Sequence, residues 1–232
     1  MGTIGFAGGQ PDEPIPHPMD RYQRQVERVK QGGIDLVFIG DSLTHRWDSY
    51  PIFPDYSGRD VWDKYYYTRK SLNFGTIGER TGHIIWRLKN APLEKLKPKV
   101  CVILTGTNNL AHGDKAEDIV RGIQCIVDIA RENWPNTEII LMELFPRGER
   151  PNEPYRLEID KINASLQEKY SKGRVKNVTI LSIGSKYLNS DGTLNNAFFP
   201  DYLHLNKAGY QIWAESLEPL LQNLLGPLRN NY

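Results

Sequence analysis

Ile34-Asp35-Leu36-Val37-Phe38-Ile39 runs directly into Gly40-Asp41-Ser42-Leu43-Thr44. The first six residues are mostly β-branched or otherwise apolar, too few for a stable helix, and closed by a glycine, so they read as a buried strand. Ser42 then falls on the turn that leaves the carboxyl end of that strand. A hydroxyl at such a turn suits a nucleophile, and it equally suits a helix cap. The string alone leaves both readings open.

Outward from this point the same alternation continues. Apolar runs at 71–74, 100–105, 138–145 and 178–183 predict four more strands, and helix-period segments at 19–31, 80–89, 116–133, 155–170 and 207–225 predict the helices beside them. Strands and helices in alternation imply a parallel sheet with both faces covered, an α/β/α sandwich of five strands. Residues 1–18, rich in Gly and Pro, predict an extended lead-in, so 1–31 is an N-terminal arm and helix on a single domain spanning 1–232. The irregular stretch is 44–69, which holds Trp47, Tyr56, Trp62 and Tyr65-Tyr66-Tyr67. A long connection after the first strand opens at the sheet edge where such folds bind ligands. Most of these aromatics are expected to pack the connection onto the body, with one or two lining a pocket. Trp47, Trp62 and the tyrosines are bulky enough to wall off one side of Ser42.

Composition narrows the function. Lys and Arg number 29 against 28 Asp and Glu, so there is no basic field to hold a nucleic-acid backbone. Cys101 lies in an apolar run and Cys125 in a helical pattern, which argues for free thiols and against a disulfide framework or a cysteine metal site. No run approaches the ~18 apolar residues of a membrane span, and the first residues lack a basic region followed by an apolar core. A soluble chain is expected. One whose leader had been removed would read the same, so the compartment stays open, as does homo-oligomerisation.

A serine hydroxyl needs a base to act as a nucleophile, most often an imidazole oriented by a carboxylate. In Asp201-Tyr202-Leu203-His204 the three-residue spacing puts both side chains on one side of a turn. The alternative is that Asp201 caps the helix that follows. His17, His45, His83 and His112 have no carboxylate at matching spacing and are expected to be surface or packing residues. The oxyanion of ester cleavage needs preplaced donors, and two turns offer them: Gly75-Thr76-Ile77-Gly78 after the second strand and Gly106-Thr107-Asn108-Asn109 after the third. Each also reads as plain turn chemistry. No HExxH string supports a metal site, and the acid–base cycle needs no cofactor.

Taken in order, GDSLT at 40–44, NFGTIG at 73–78, GTNN at 106–109 and DYLH at 201–204 resemble the four blocks of the SGNH (GDSL) hydrolases. Within that superfamily, NFG, RTGHIIWRLKN, LKPKV, FPRGERPN and DYLHLNKAGY look like the catalytic subunits of intracellular platelet-activating-factor acetylhydrolases and their bacterial relatives, from about Ile34 to Leu225. The resemblance implies a flavodoxin-like sandwich, Ser42 as nucleophile and oxyanion donor through its own N–H, Gly78 N–H and the Asn108 side chain as further donors, and Asp201 and His204 as the rest of the triad. Glu79 and Asn109 depart from the commoner pattern, which has Asp at both places; neither is a chemical participant in that scheme. The expected function is a serine esterase removing short, foremost acetyl, groups, with O-acetylated carbohydrate as the leading substrate class. A lipid-directed acetylhydrolase, lysophospholipase or thioesterase is the enzymatic rival, and a non-catalytic binding module or scaffold is the rival of another kind.

Overall fold

The computed structural model describes residues 11–15, 19–48 and 54–228. Most of the predicted arm and His17 lie outside the described residues, as does 49–53 of the long connection. Five strands, β1 (Leu36–Gly40), β2 (Ser71–Gly75), β3 (Val100–Leu104), β4 (Glu138–Met142) and β5 (Val178–Leu181), form one sheet in the order β2-β1-β3-β4-β5. Every pairing is parallel. All five were anticipated, with bounds one to three residues different at several ends. Runs 138–145 and 178–183 stay apolar beyond their ladders, and that excess belongs to loops packed at the sheet's carboxyl edge.

Successive strand residues face opposite layers. Val37, Ile39, Cys101, Ile103, Ile139 and Leu141 pack under α1 (Met19–Lys30), α4 (Thr81–Asn90), α6 (Ala116–Asn133) and α7 (Pro154–Tyr170). Leu36, Phe38, Val100, Val102, Leu104, Ile140 and Met142 pack against α3 (Arg59–Tyr65) and α8 (Lys207–Leu225). The five long helices match the predicted segments closely. Three short ones were not predicted: α2 (Ser42–His45), α3, and α5 (Thr107–His112). Described arm residues lie on this body, with Ile15 N–H bonded to the Gly82 carbonyl (3.0 Å) and Thr81 Oγ1 to the Pro11 carbonyl (2.5 Å). Among the described residues no helix is long and apolar enough to cross a membrane.

The strand order reverses direction between β1 and β3, and loops leaving their carboxyl ends part there to open a crevice. α2 and α5 both start in it. The connection after β1 behaves mainly as packing: Trp47, Trp62, Tyr65 and Tyr66 are buried with Phe38, Tyr210 and Trp213. Trp47 and Trp62 therefore do not wall off one side of Ser42. Apolar area beside Phe38 and α8 takes them inward. Among the described residues of this connection Tyr56 reaches the crevice, its ring edge-on to His204 at 6.2 Å between centroids.

Candidate active site

Asp41 ends the turn after β1 and caps α2, its Oδ1 accepting the Leu43 N–H at 3.0 Å. The cap is thus Asp41, and Ser42 is the first helical residue. Its N–H, like that of Gly78, meets no protein acceptor among the described residues. The helix sits close because two glycines admit it: a Cβ on Gly40 would strike the Thr44 side chain and the Leu104 carbonyl, and one on Gly75 would come within 2.5 Å of His45 N. Asn73 locks the junction. Its Nδ2 donates to the Thr44 carbonyl (2.9 Å) and Asp48 Oδ1 (2.9 Å), while its Oδ1 accepts from Gly75 N–H (2.9 Å).

The loop before α8 brings the other half. Ser42 Oγ lies 3.2 Å from His204 Nε2, and His204 Nδ1 lies 2.8 Å from Asp201 Oδ2. Asp201 Oδ1 also accepts the backbone N–H of Leu203 (3.0 Å) and His204 (2.6 Å). Between them Tyr202 adopts left-handed backbone, φ 56°, a conformation that costs a non-glycine residue about 1 kcal/mol and folds the turn back so that both side chains meet. Helix α8 is capped instead by Asn206, whose side chain accepts the Gly209 N–H, so the alternative in which Asp201 caps that helix is not met. Partial burial pushes the Asp201 carboxyl up, but the bonds from His204 and Leu203 outweigh it and hold it below the usual range. Burial lowers the His204 imidazole, reinforced by Arg46 and Arg147 and opposed by Asp201. With Nδ1–H given to Asp201, the neutral ring presents Nε2 as acceptor to Ser42.

The turns after β2 and β3 carry the other two residues of interest. Gly78 has φ 75°, open to glycine and strained for other residues. Asn108, in the first turn of α5, gives one amide hydrogen to the Glu79 carbonyl at 2.8 Å, leaving the second for a ligand. Glu79 is held in turn by Arg87, with Nε to Oε1 at 2.7 Å and Nη2 to Oε2 at 2.5 Å, both side chains fully buried. The two departures from the family pattern thus have structural work. Glu79 anchors the loop that fixes Asn108, and Asn109 bonds Thr81 N–H, Thr81 Oγ1 and Asp114. Neither Arg87 nor Asn73 was singled out from the sequence. NFG marked the turn, but nothing in a linear string pairs residue 79 with 87.

The other histidines among the described residues have partners. His45 Nδ1 accepts the Ile77 N–H (3.2 Å) and His83 Nδ1 the Arg80 N–H (3.1 Å). His112 does have a carboxylate partner, Asp114 Oδ1 at 2.9 Å, because the turn that ends α5 brings the two together; the pair is a surface contact. Among the described residues no cluster of three or more His, Cys, Asp or Glu side chains could hold a metal ion. Cys101 and Cys125 are free thiols.

A hydrogen-bonded Ser–His–Asp chain on the carboxyl edge of a parallel sheet is equipped for acyl transfer, and the chain is a carboxylic-ester hydrolase. It belongs to the GDSL-like Lipase/Acylhydrolase family, which it matches over residues 38–212. It is 36% identical over 207 residues to platelet-activating factor acetylhydrolase IB subunit alpha2 of Rattus norvegicus, covering 89% of this chain and 84% of the relative. The crystal structure of a GDSL-like lipase from Bacteroides thetaiotaomicron superposes with a TM-score of 0.68 at 16% identity, covering 87% of this chain and 97% of the other. An acetyl xylan esterase, AlAXEase, gives 0.61 at 16% identity, with 81% and 100% covered. These likenesses bear out the α/β fold, the family resemblance and the esterase reading, and set aside the scaffold alternative.

Proposed function

We propose that one domain carries the whole reaction, with Ser42 as nucleophile, His204 as base and acid, Asp201 as its orienting carboxylate, and Ser42 N–H, Gly78 N–H and Asn108 Nδ2 as oxyanion donors. The observation that carries this reading is the continuous path from Ser42 Oγ to His204 Nε2 (3.2 Å) and from His204 Nδ1 to Asp201 (2.8 Å). Ser42 Oγ bonds to the ester carbonyl carbon while its proton passes to Nε2. The carbonyl oxygen becomes an oxyanion facing the three donors. Collapse breaks the ester C–O bond, and Nε2 returns the proton to the leaving alkoxide. Water then gives a proton to Nε2 and attacks the acyl-enzyme, releasing the acid and restoring Ser42.

The acyl group is acetyl or another short chain, removed from a decorated carbohydrate. Two similar proteins support the acyl choice through their names, an acetylhydrolase and an acetyl xylan esterase, and the second supports the carbohydrate. The rat relative, at 36% identity, favours a second reading in which the acetyl ester is carried by a phospholipid. The nucleophile and the acyl length, common to both readings, are tested together. Ser42→Ala is expected to lower ester turnover by about 10⁴-fold or more while keeping the fold, and a phosphonylating reagent is expected to add one mass, on Ser42. Wild-type kcat/KM should fall from p-nitrophenyl acetate to butyrate to octanoate. Undiminished turnover by the alanine variant rejects the nucleophile, and kcat/KM rising with chain length rejects the acetyl assignment.

A further inference from the structure

Arg147 sits where two site loops meet, and the mechanism above does not use it. Its Nη1 donates to the Thr107 carbonyl at 2.9 Å, one residue from Asn108. The next residue's N–H, Gly148, donates to the Tyr202 carbonyl at 3.0 Å, between Asp201 and His204. The guanidinium lies over the Tyr155 ring, 4.4 Å from its centroid, which fixes its plane without neutralising its charge. Among the described residues no carboxylate pairs with it within salt-bridge distance, and Nε and Nη2 have no protein acceptor and are not sealed from solvent. A half-buried arginine with one edge spent on backbone and the other open keeps a planar fork of donors whose geometry matches a carboxylate or phosphate. Its charge reaches the site, being one of the influences that lower the His204 imidazole.

Direction follows from the chemistry. His204 hands its proton to the leaving oxygen, so the alcohol half of the ester departs on the side of the 201–204 loop, the loop that residue 148 is bonded to. From these placements we infer that the open Nε–Nη2 edge of Arg147 binds an oxyanion, carboxylate or phosphate, carried on the alcohol half of the substrate. Arg147 is then a specificity residue whose anion takes the place a carboxylate side chain would otherwise fill. The inference rests on the Ser42 reading and refines its substrate class. A carboxylate points to an acidic saccharide and a phosphate to a phosphate-bearing alcohol.

Three esters on one three-carbon skeleton test it: 1-acetylglycerol, 3-acetylglycerate and 1-acetylglycerol 3-phosphate, assayed at low ionic strength on wild type, Arg147→Met and Arg147→Lys. Wild type is expected to favour at least one anionic ester over the neutral one by about tenfold or more in kcat/KM, chiefly through KM, and to lose part of that preference as salt is added. Arg147→Met should bring the ratio close to one, even if losing the Thr107 bond slows all three esters. Arg147→Lys should retain a part. The larger of the two anionic rates identifies the group bound. Equal rates on all three esters by wild type, or a preference that survives in Arg147→Met, overturns the inference while leaving Ser42 in place. Failure of the Ser42 reading is separate, since it appears as hydrolysis of the neutral ester by Ser42→Ala.

Discussion

Asn108 spends one amide hydrogen on the Glu79 carbonyl, 2.8 Å away, and that bond decides how its other hydrogen is aimed. An amide free to rotate would have to be ordered at the moment charge develops; one already held costs no reorganisation then. Asn108→Ala is therefore expected to reduce kcat by about 10²-fold to 10³-fold with a smaller change in KM, because the donor acts on charge that exists in the transition state and hardly at all on the bound ester. Steady-state kinetics on an acetyl ester separates the two parameters. A large rise in KM with kcat unchanged would make Asn108 a substrate-binding residue and move the oxyanion site to the backbone donors. The same logic explains why Asp201 takes three hydrogen bonds, two of them from backbone. A carboxylate so held keeps the imidazole in one tautomer and one orientation.

Helix α4 does more than cover the sheet. From its second turn Arg87 reaches back to Glu79, to the Phe74 carbonyl (2.9 Å) and to Gln25 Oε1 (3.1 Å), so that strand β2, the loop after it and helix α1 share one guanidinium. Arg87→Met leaves a fully buried carboxylate without its cation, and removing one member of such a pair costs about 3–5 kcal/mol. Urea unfolding should show a midpoint lowered accordingly, and the surviving folded enzyme should lose kcat because the loop that fixes Asn108 is released. A stability unchanged within error would mean that Glu79 is neutral or otherwise satisfied in the folded chain. Elements like α4, α6 and α8 were legible in the sequence because ten or more residues carry a period. The four-residue α2 carries none, and α3 was hidden because Trp62 and Tyr65 lie in a stretch whose aromatics obscure any spacing. The four site strings were legible as separate turns. What joins them, Asn73 to Thr44, Asn108 to Glu79 and Arg147 to Thr107, is made across the sheet edge by residues whose pairing exists only once the strands have taken the order β2-β1-β3-β4-β5.

Gathering the site at one edge of the sheet buries two ionisable groups beside Ser42, and their opposite responses to pH act on the stability of the whole molecule. Burial raises the Asp41 carboxyl to about 7, against the Leu43 N–H bond and with help from the Glu79 charge; its Oδ2 has no partner. Burial, with Arg21 and Arg46 adding to it, lowers His45 to about 3. Between its ordinary value of 3.8 and about 7, Asp41 is protonated in the folded chain and ionised in the unfolded one, so its contribution to stability falls as pH rises through that window. His45 does the reverse: between about 3 and its ordinary 6.5 the unfolded chain binds a proton that the folded chain refuses, and stability rises with pH. The two slopes oppose each other over the acid range, and above pH ~6.5 only the Asp41 slope remains. Asp41→Asn keeps an oxygen to accept the Leu43 N–H and removes the titration, whatever fixed cost the new amide hydrogens bring. The difference in unfolding free energy, variant minus wild type, should therefore grow between pH 4 and pH 7 and level off beyond. About three pKa units at 1.36 kcal/mol each set its ceiling near 4 kcal/mol. Urea titrations of both proteins at pH 4.5, 6.0, 7.0 and 8.0 measure it. A difference that stays constant across those four values would show that Asp41 is ionised in the folded enzyme throughout, and that the charge beside the nucleophile is a permanent part of the site.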